Sequence, residues 1–222
     1  MMITFTLNGL EVAVEEGTTL LEAARTYGIE IPTLCYDEAL SPGSACRLCV
    51  VEVGAAPKAK LVASCDFKAT EGLVVRTHSN RVMKVRKTLL EMYVAAAPGS
   101  KTIQCLASKH HVTQVRMRPR DDTCILCGLC VRMCSEQMQG KAIDFISRGV
   151  QRRITTAFAK KSDDCRLCGG CMYICPVCMA RCQGPQAETT LCNACLNLAP
   201  PCSDKFDDVM CYMDPCVACE QK

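Results

Sequence analysis

The sequence predicts an α+β protein in four parts: a small sheet-and-helix unit, a helical connector, a cysteine-ruled unit and an irregular cysteine-rich tail. Three observations carry that prediction. Residues 3–15 alternate apolar and polar around Asn8-Gly9, the pattern of two strands joined by a tight turn. Residues 79–97 repeat apolar side chains at helical spacing. Finally, 21 of the 222 residues are cysteine, tryptophan is absent and aromatics make up 5%. Metal–thiolate bonds, not a large aromatic core, must then supply much of the order. The expected boundaries are 1–78, 79–120, 121–177 and 178–222.

Ile3 to Leu7 and Leu10 to Glu15 are read as a hairpin, because Asn-Gly supplies the positive φ angles of a type I′ turn. Thr18 or Thr19 then caps a helix to about Tyr27, burying Leu20, Leu21, Ala23 and Ala24, and Gly28 ends it. Ile31 to Cys35 is extended. Val50, Val51 and Val53 make a strand, and Leu61 to Ala63 another. In the connector, Val82, Val85, Leu89, Leu90 and Met92 to Val94 form the apolar face, with Arg81, Lys84, Arg86 and Lys87 on other faces; Pro98-Gly99 stops the helix. Cys105 is expected as a packed helix thiol. His110 and His111 are expected at the surface, since adjacent histidines cannot face one site on a helix. Ile143 to Ile146 and Ile154 to Phe158 are expected as two short strands.

The cysteines hold the chemistry. Cys124, Cys127, Cys130 and Cys134 are spaced C-x2-C-x2-C-x3-C; Cys165, Cys168, Cys171 and Cys175 repeat the spacing about 40 residues on, followed by Pro176. This is the bacterial ferredoxin run for two [4Fe-4S] clusters. Three closely spaced thiolates wrap one cubane and the fourth reaches across to the other. That assigns Cys124, Cys127, Cys130 and Cys175 to the first cluster, and Cys134, Cys165, Cys168 and Cys171 to the second. Gly128, Gly169 and Gly170 let backbone pass close to the inorganic core. Ser135 follows Cys134 where the second run has Pro176. A pair of zinc sites is the competing reading, although zinc favours CxxC pairs separated by a longer gap.

Upstream, Cys35, Cys46, Cys49 and Cys65 are spaced C-x10-C-x2-C-x15-C. Four thiolates, two per iron, suit a [2Fe-2S] centre, with small residues Gly43, Ser44 and Ala45 letting N–H groups approach sulfide. A zinc site or scattered core cysteines are the alternatives. A hairpin, a helix, this cysteine loop and a later cysteine together resemble the β-grasp [2Fe-2S] ferredoxin domain. The order of that domain, a helical connector and a double [4Fe-4S] domain is similar to the N-terminal part of the large iron–sulfur subunit of respiratory complex I (NADH dehydrogenase). The diaphorase small subunit of NAD-linked hydrogenases and many [FeFe] hydrogenases share it. The resemblance covers residues 1 to about 178. It departs at one place: those relatives usually carry a His-x3-Cys-x2-Cys-x5-Cys site after the connector. Here APGSKTIQCLASKHHV offers only Cys105, so no cluster is expected there.

Past Cys175 the sequence leaves that pattern. Cys178, Cys182, Cys192, Cys195, Cys202, Cys211, Cys216 and Cys219 suffice for two four-ligand sites. CxxC at 192–195 and 216–219 fits a zinc ribbon; at least one further [4Fe-4S] cluster is the favoured reading.

Function classes narrow accordingly. Clusters with every iron thiolate-bound offer no substrate site; they pass single electrons. No GxGxxG, P-loop or nucleophile elbow appears, so a non-catalytic part of an oxidoreductase complex is expected. The net charge of +3 is too small to imply nucleic acid. Lys109 to Arg120, with Arg116, Arg118 and Arg120, and Arg148, Arg152, Arg153, Lys160 and Lys161 read as a solvated face; the sharper reading is that they offset anionic clusters or dock an acidic partner. MMITFTLNGLEVAVEEG lacks the basic, then apolar, layout of a signal peptide, and no 18-residue apolar stretch is present. Cluster-held thiols suit a reducing cytoplasm. By resemblance, the partners are a flavin-containing NAD(H)-linked subunit and a catalytic subunit: hydrogenase, formate dehydrogenase, reductase or bifurcating type. A free polyferredoxin carrier and a zinc-rich interaction module are the alternatives.

Overall fold

The computed structural model describes residues 1–177 apart from 56, 99, 120–123 and 161. The expectations for Gly99, Arg120, Lys161 and the eight tail cysteines from Cys178 to Cys219 lie outside the described residues. The chain opens with β1 (Met2–Leu7) and β2 (Leu10–Glu15), paired antiparallel with Leu7 opposite Leu10. Asn8 (φ 52°) and Gly9 (φ 87°) take the left-handed angles the turn requires. Strand alternation buries Ile3, Phe5, Leu7, Val12 and Val14. Helix α1 (Leu20–Thr26) starts at a capping box: the Thr19 hydroxyl accepts from the Glu22 N–H, and the Glu22 carboxylate accepts from the Thr19 N–H.

Strands β3 (Val50–Val53), β4 (Lys60–Ala63) and β5 (Val74–Arg76) complete a five-stranded sheet of order β2-β1-β5-β3-β4. The β1–β5 pair is parallel and the others antiparallel. This mixed sheet with one packed helix is a β-grasp arrangement. Sequence pattern does not announce β5: three residues give no period, and its partners on both sides define it. Phe5, Leu7, Leu20, Leu21 and Val51 are 2% exposed or less. Each such side chain contributes about 1.5–3 kcal/mol by leaving water.

Helix α2 (Asn80–Ala96) is capped by the Ser79 hydroxyl, which accepts from the Val82 N–H at 3.3 Å. Its buried face differs from the expected one. Val82, Leu90 and Ala95 are buried as apolar residues, but Arg86 and Glu91 are buried beside them while Met92 is exposed. Arg86 is drawn inward because loop carbonyls there need donors (below). Glu91 is covered by Arg116 at 2.7 Å, so one cation of the basic stretch has an internal task. Helix α3 (Lys101–Lys109) buries Ile103 and Ala107. Cys105 corrects the expectation of a packed thiol: two residues from Ile103 it falls on the outer face and is exposed. His110 is half-buried and His111 exposed.

Helix α4 (Leu129–Arg132) runs directly into a π-helical turn, Met133–Gln137. Strands β6 (Asp144–Ile146) and β7 (Arg153–Thr155) pair antiparallel, and helix α5 (Gly170–Tyr173) follows. The second apolar run therefore ends at Thr155, not at Phe158, which sits in a tight turn at φ 53° and is almost fully exposed. One apolar cluster fills the space between the sheet and α1; a second contains Cys35, Cys46, Leu48, Leu90, Cys127 and Leu129. The second cluster therefore joins the N-terminal loop, α2 and the C-terminal lobe. Among the described residues no helix is long and apolar enough to cross a membrane.

Candidate metal centres

The first quartet is placed by three features of the sheet domain. Cys35 lies in the loop after α1, Cys46 and Cys49 sit in the turn that feeds β3, and Cys65 lies just past β4. All four are buried. Ser44 (φ 46°) and Arg47 (φ 57°) take left-handed angles. The Cys46 N–H donates to the Cys35 sulfur at 3.3 Å, and the Ser44 hydroxyl lies 3.6 Å from the Cys65 sulfur. The sulfurs form two hydrogen-bonded pairs, Cys35 with Cys46 and Cys49 with Cys65. Hydrogen bonding from the Cys46 thiol lowers the Cys35 pKa, and from the Cys65 thiol that of Cys49. The two donor thiols are pushed up by the same bonds and by burial.

Two groups outside the quartet support this loop. Arg86 donates from Nε to the Leu48 carbonyl at 3.2 Å and from Nη2 to the Val50 carbonyl at 2.8 Å. Burial pulls its pKa down to about 10, with Cys49 pulling the other way. The Tyr93 hydroxyl donates to the Cys46 carbonyl at 2.6 Å, and burial pushes its pKa up. The sequence hid both roles, since a cation at helical spacing reads as solvated and a lone tyrosine reads as core.

In the C-terminal lobe the two cysteine runs take the same backbone path. Leu126 and Leu167 both lie at φ 53°, and Gly128 (φ 75°) and Gly169 (φ 73°) open α4 and α5 in left-handed conformation. At these two glycines the turn itself requires the residue. Gly170 serves a close approach instead: a Cβ there would lie 3.2 Å from Met133.

One cavity of about 180 Å³ is lined by Cys134, Cys165, Cys168 and Cys171. A second, of about 490 Å³, is lined by Cys124, Cys127, Cys130 and Cys175, with Cys171 on the wall between them. The fourth cysteine of each run thus faces the cavity of the other run. Burial pushes the Cys127 and Cys130 thiols up to about 12, and raises Cys171 too. Iron binding at these thiols would release those protons. Among the described residues no three His, Cys, Asp or Glu side chains close on a single ion. The sulfurs instead ring cavities or pair off, and a multi-iron core spreads its thiolates in this way. The donor sets fit one two-iron and two four-iron groups.

After Cys134 the chain continues as the π-helical turn. There the Ser135 hydroxyl donates to the carbonyls of Val131 at 3.1 Å and Arg132 at 3.3 Å. Serine in place of proline lets the helix run on past Cys134, and π-turns commonly mark functional positions.

Fold and sites together define an iron–sulfur module with a two-iron domain followed by a double four-iron lobe. Residues 1–80 match the family described as a 2Fe-2S iron-sulfur cluster binding domain, and residues 123–182 match the 4Fe-4S dicluster domain. The chain is 34% identical to the NADP-reducing hydrogenase subunit HndD of Solidesulfovibrio fructosivorans, over 79% of this chain and 35% of that one. It is 31% identical to an NADH-quinone oxidoreductase subunit of Rhizobium meliloti, over 79% of this chain and 23% of that one. A solved NAD+-reducing [NiFe]-hydrogenase superimposes with a TM-score of 0.62 at 32% identity, covering 75% of this chain and 84% of the matched chain. The chain belongs to the family of iron–sulfur subunits shared by NADH-quinone oxidoreductases and NAD-linked hydrogenases. It spans about a third of the length of the first of these curated relatives and about a quarter of the second.

Proposed function

We propose that the chain is a non-catalytic electron-transfer subunit of a hetero-oligomeric, NAD(H)-linked redox complex in the cytoplasm. A flavin-containing subunit sits at one end of its electron path and a catalytic redox subunit at the other. In this reading Cys35, Cys46, Cys49 and Cys65 hold a [2Fe-2S] cluster. Cys124, Cys127, Cys130 and Cys175 hold one [4Fe-4S] cluster; Cys134, Cys165, Cys168 and Cys171 hold the second. When bound, the clusters accept and release single electrons.

One observation carries the reading: Cys35 and Cys46 pack in the same apolar cluster as Cys127. Ligands of the two-iron centre and of the first cubane thus share one dry core. Tunnelling falls off exponentially with separation, so a shared core is what a wire needs. Cys171, on the wall between the two cavities, extends the line to the second cubane. The relatives are named as NAD(P)-linked hydrogenase and NADH-quinone oxidoreductase subunits, which supports the choice of partner. The domain limits 78, 120 and 177 belong to this proposal, as does a tail that binds a further [4Fe-4S] cluster or a zinc ion.

The test is anaerobic isolation from the native source. A flavin subunit should copurify, and NADH should reduce the clusters within that complex. A stable monomer with no flavin partner contradicts the reading and favours a diffusing carrier. Iron well above about ten per chain assigns the tail to a further cluster; about ten irons with one zinc assigns it to zinc.

A further inference from the structure

Beside the shared apolar cluster, polar contacts between the N-terminal loop and the C-terminal lobe come from a short stretch, residues 132–137, that spans the end of the first cysteine run. Arg132 lies two residues after Cys130 and two before Cys134. Its Nη2 donates to the Cys35 carbonyl at 2.7 Å and its Nη1 to the Ser41 carbonyl. The Glu136 carboxylate accepts the Ser41 N–H at 2.8 Å and the Ser41 hydroxyl at 2.5 Å. Gln137 donates to the Ala39 carbonyl. Residues at i, i+4 and i+5 face one way on a π-helical turn, so all three side chains meet the same loop. Gly43 makes room: a Cβ there would lie 2.8 Å from Arg132 Nη2.

We propose that Arg132 is a positioning residue that carries a positive charge from the double four-iron lobe into the 35–46 ligand loop and thereby sets the reduction potential of the two-iron centre. The inference rests on the [2Fe-2S] assignment above. Reduction adds one negative charge to that centre, and a fixed cation nearby stabilises the reduced form. A guanidinium stays charged at any working pH, and its fork geometry holds two carbonyls at once. Other charges at the loop include Arg25, paired with Glu38 and set over Tyr36, Arg86, beneath Leu48 and Val50, and Glu136, which accepts from Ser41 and partly offsets Arg132. The guanidinium is thus seated on the carbonyl of Cys35, a member of the two-iron quartet, although Arg132 itself belongs to the other lobe.

The experiment is an anaerobic redox titration of the full cluster-loaded chain, followed by electron paramagnetic resonance. Dithionite supplies one electron per two-iron centre through mediators; no bond forms or breaks. In Arg132→Met the reduced-to-oxidised ratio of that centre at the wild-type midpoint should fall about tenfold, 59 mV for one electron, with the four-iron signals moving less. Arg132→Lys should recover part of the shift, keeping the charge without the fork. Gly43→Ala, which pushes the guanidinium out of its seat, should shift the same centre in the same direction. An unchanged two-iron midpoint in Arg132→Met, or a four-iron shift as large as the two-iron one, overturns the proposal. If Arg132→Met fails to load, Gly43→Ala and Arg132→Lys decide by the same criterion. A wild-type protein with no two-iron signal overturns the cofactor assignment itself, and the inference falls with it.

Discussion

The two cluster-bearing regions solve the same problem in opposite ways. In residues 1–80 the protein packs first and the cysteines are placed by that packing. The sheet and α1 enclose a continuous apolar cluster, and all four cysteines of the quartet are buried. In residues 124–177 the order is reversed. The regular elements are three to five residues long, two cavities occupy the interior, and most of the cysteines there are only half-buried. So little apolar area cannot offset the chain entropy of ordering the lobe. Under the proposed assignment, metal would be a guest in the first region and the core of the second.

Iron removal should expose this contrast most visibly. Stripping the clusters with a chelator should abolish amide-exchange protection across residues 124–177 while the sheet of residues 1–80 stays protected. Equal loss in both regions would contradict the distinction. Within the sheet domain, Leu20→Ala should cost about 2–5 kcal/mol in denaturant unfolding, because the side chain is fully buried under the sheet. Arg86→Met should cost about 1–3 kcal/mol for each carbonyl, of Leu48 and Val50, left without its donor.

The same contrast governs what could be read from sequence. The Asn8-Gly9 hairpin, the Thr19 cap and the cysteine spacings all announce themselves locally, through turn chemistry, capping and ligand geometry. What stayed hidden depends on partners distant in the chain. β5 exists because β1 and β3 flank it, and Val74 and Val75 alone carry no period. Arg86 lies where a helical wheel places a solvated cation, yet two loop carbonyls 36 and 38 positions away pull it inside. Arg132 hides within the cysteine motif, where attention goes to the ligands. Cys105 shows the converse error: a thiol of a commonly buried type lands on the outer face of α3.

Smaller effects probe how far the sheet domain stands without metal. Thr19→Ala should cost about 1 kcal/mol by removing the capping box, measured as a shift in the urea midpoint of the domain with clusters intact. Arg25→Ala should cost less than about 1 kcal/mol, since its ion pair with Glu38 is exposed on both sides. A larger loss there would mean that the surface contributes what the core is held to supply.

Both regions matter because the described cysteines are read as holding three electron-carrying clusters. The decisive measurement is spin-quantified electron paramagnetic resonance on the fully reduced, anaerobically purified chain, with iron and acid-labile sulfide determined on the same sample. One two-iron signal, two magnetically interacting four-iron signals and at least about ten irons per chain are expected. A colourless protein holding zinc, with no signal after reduction, would contradict that reading.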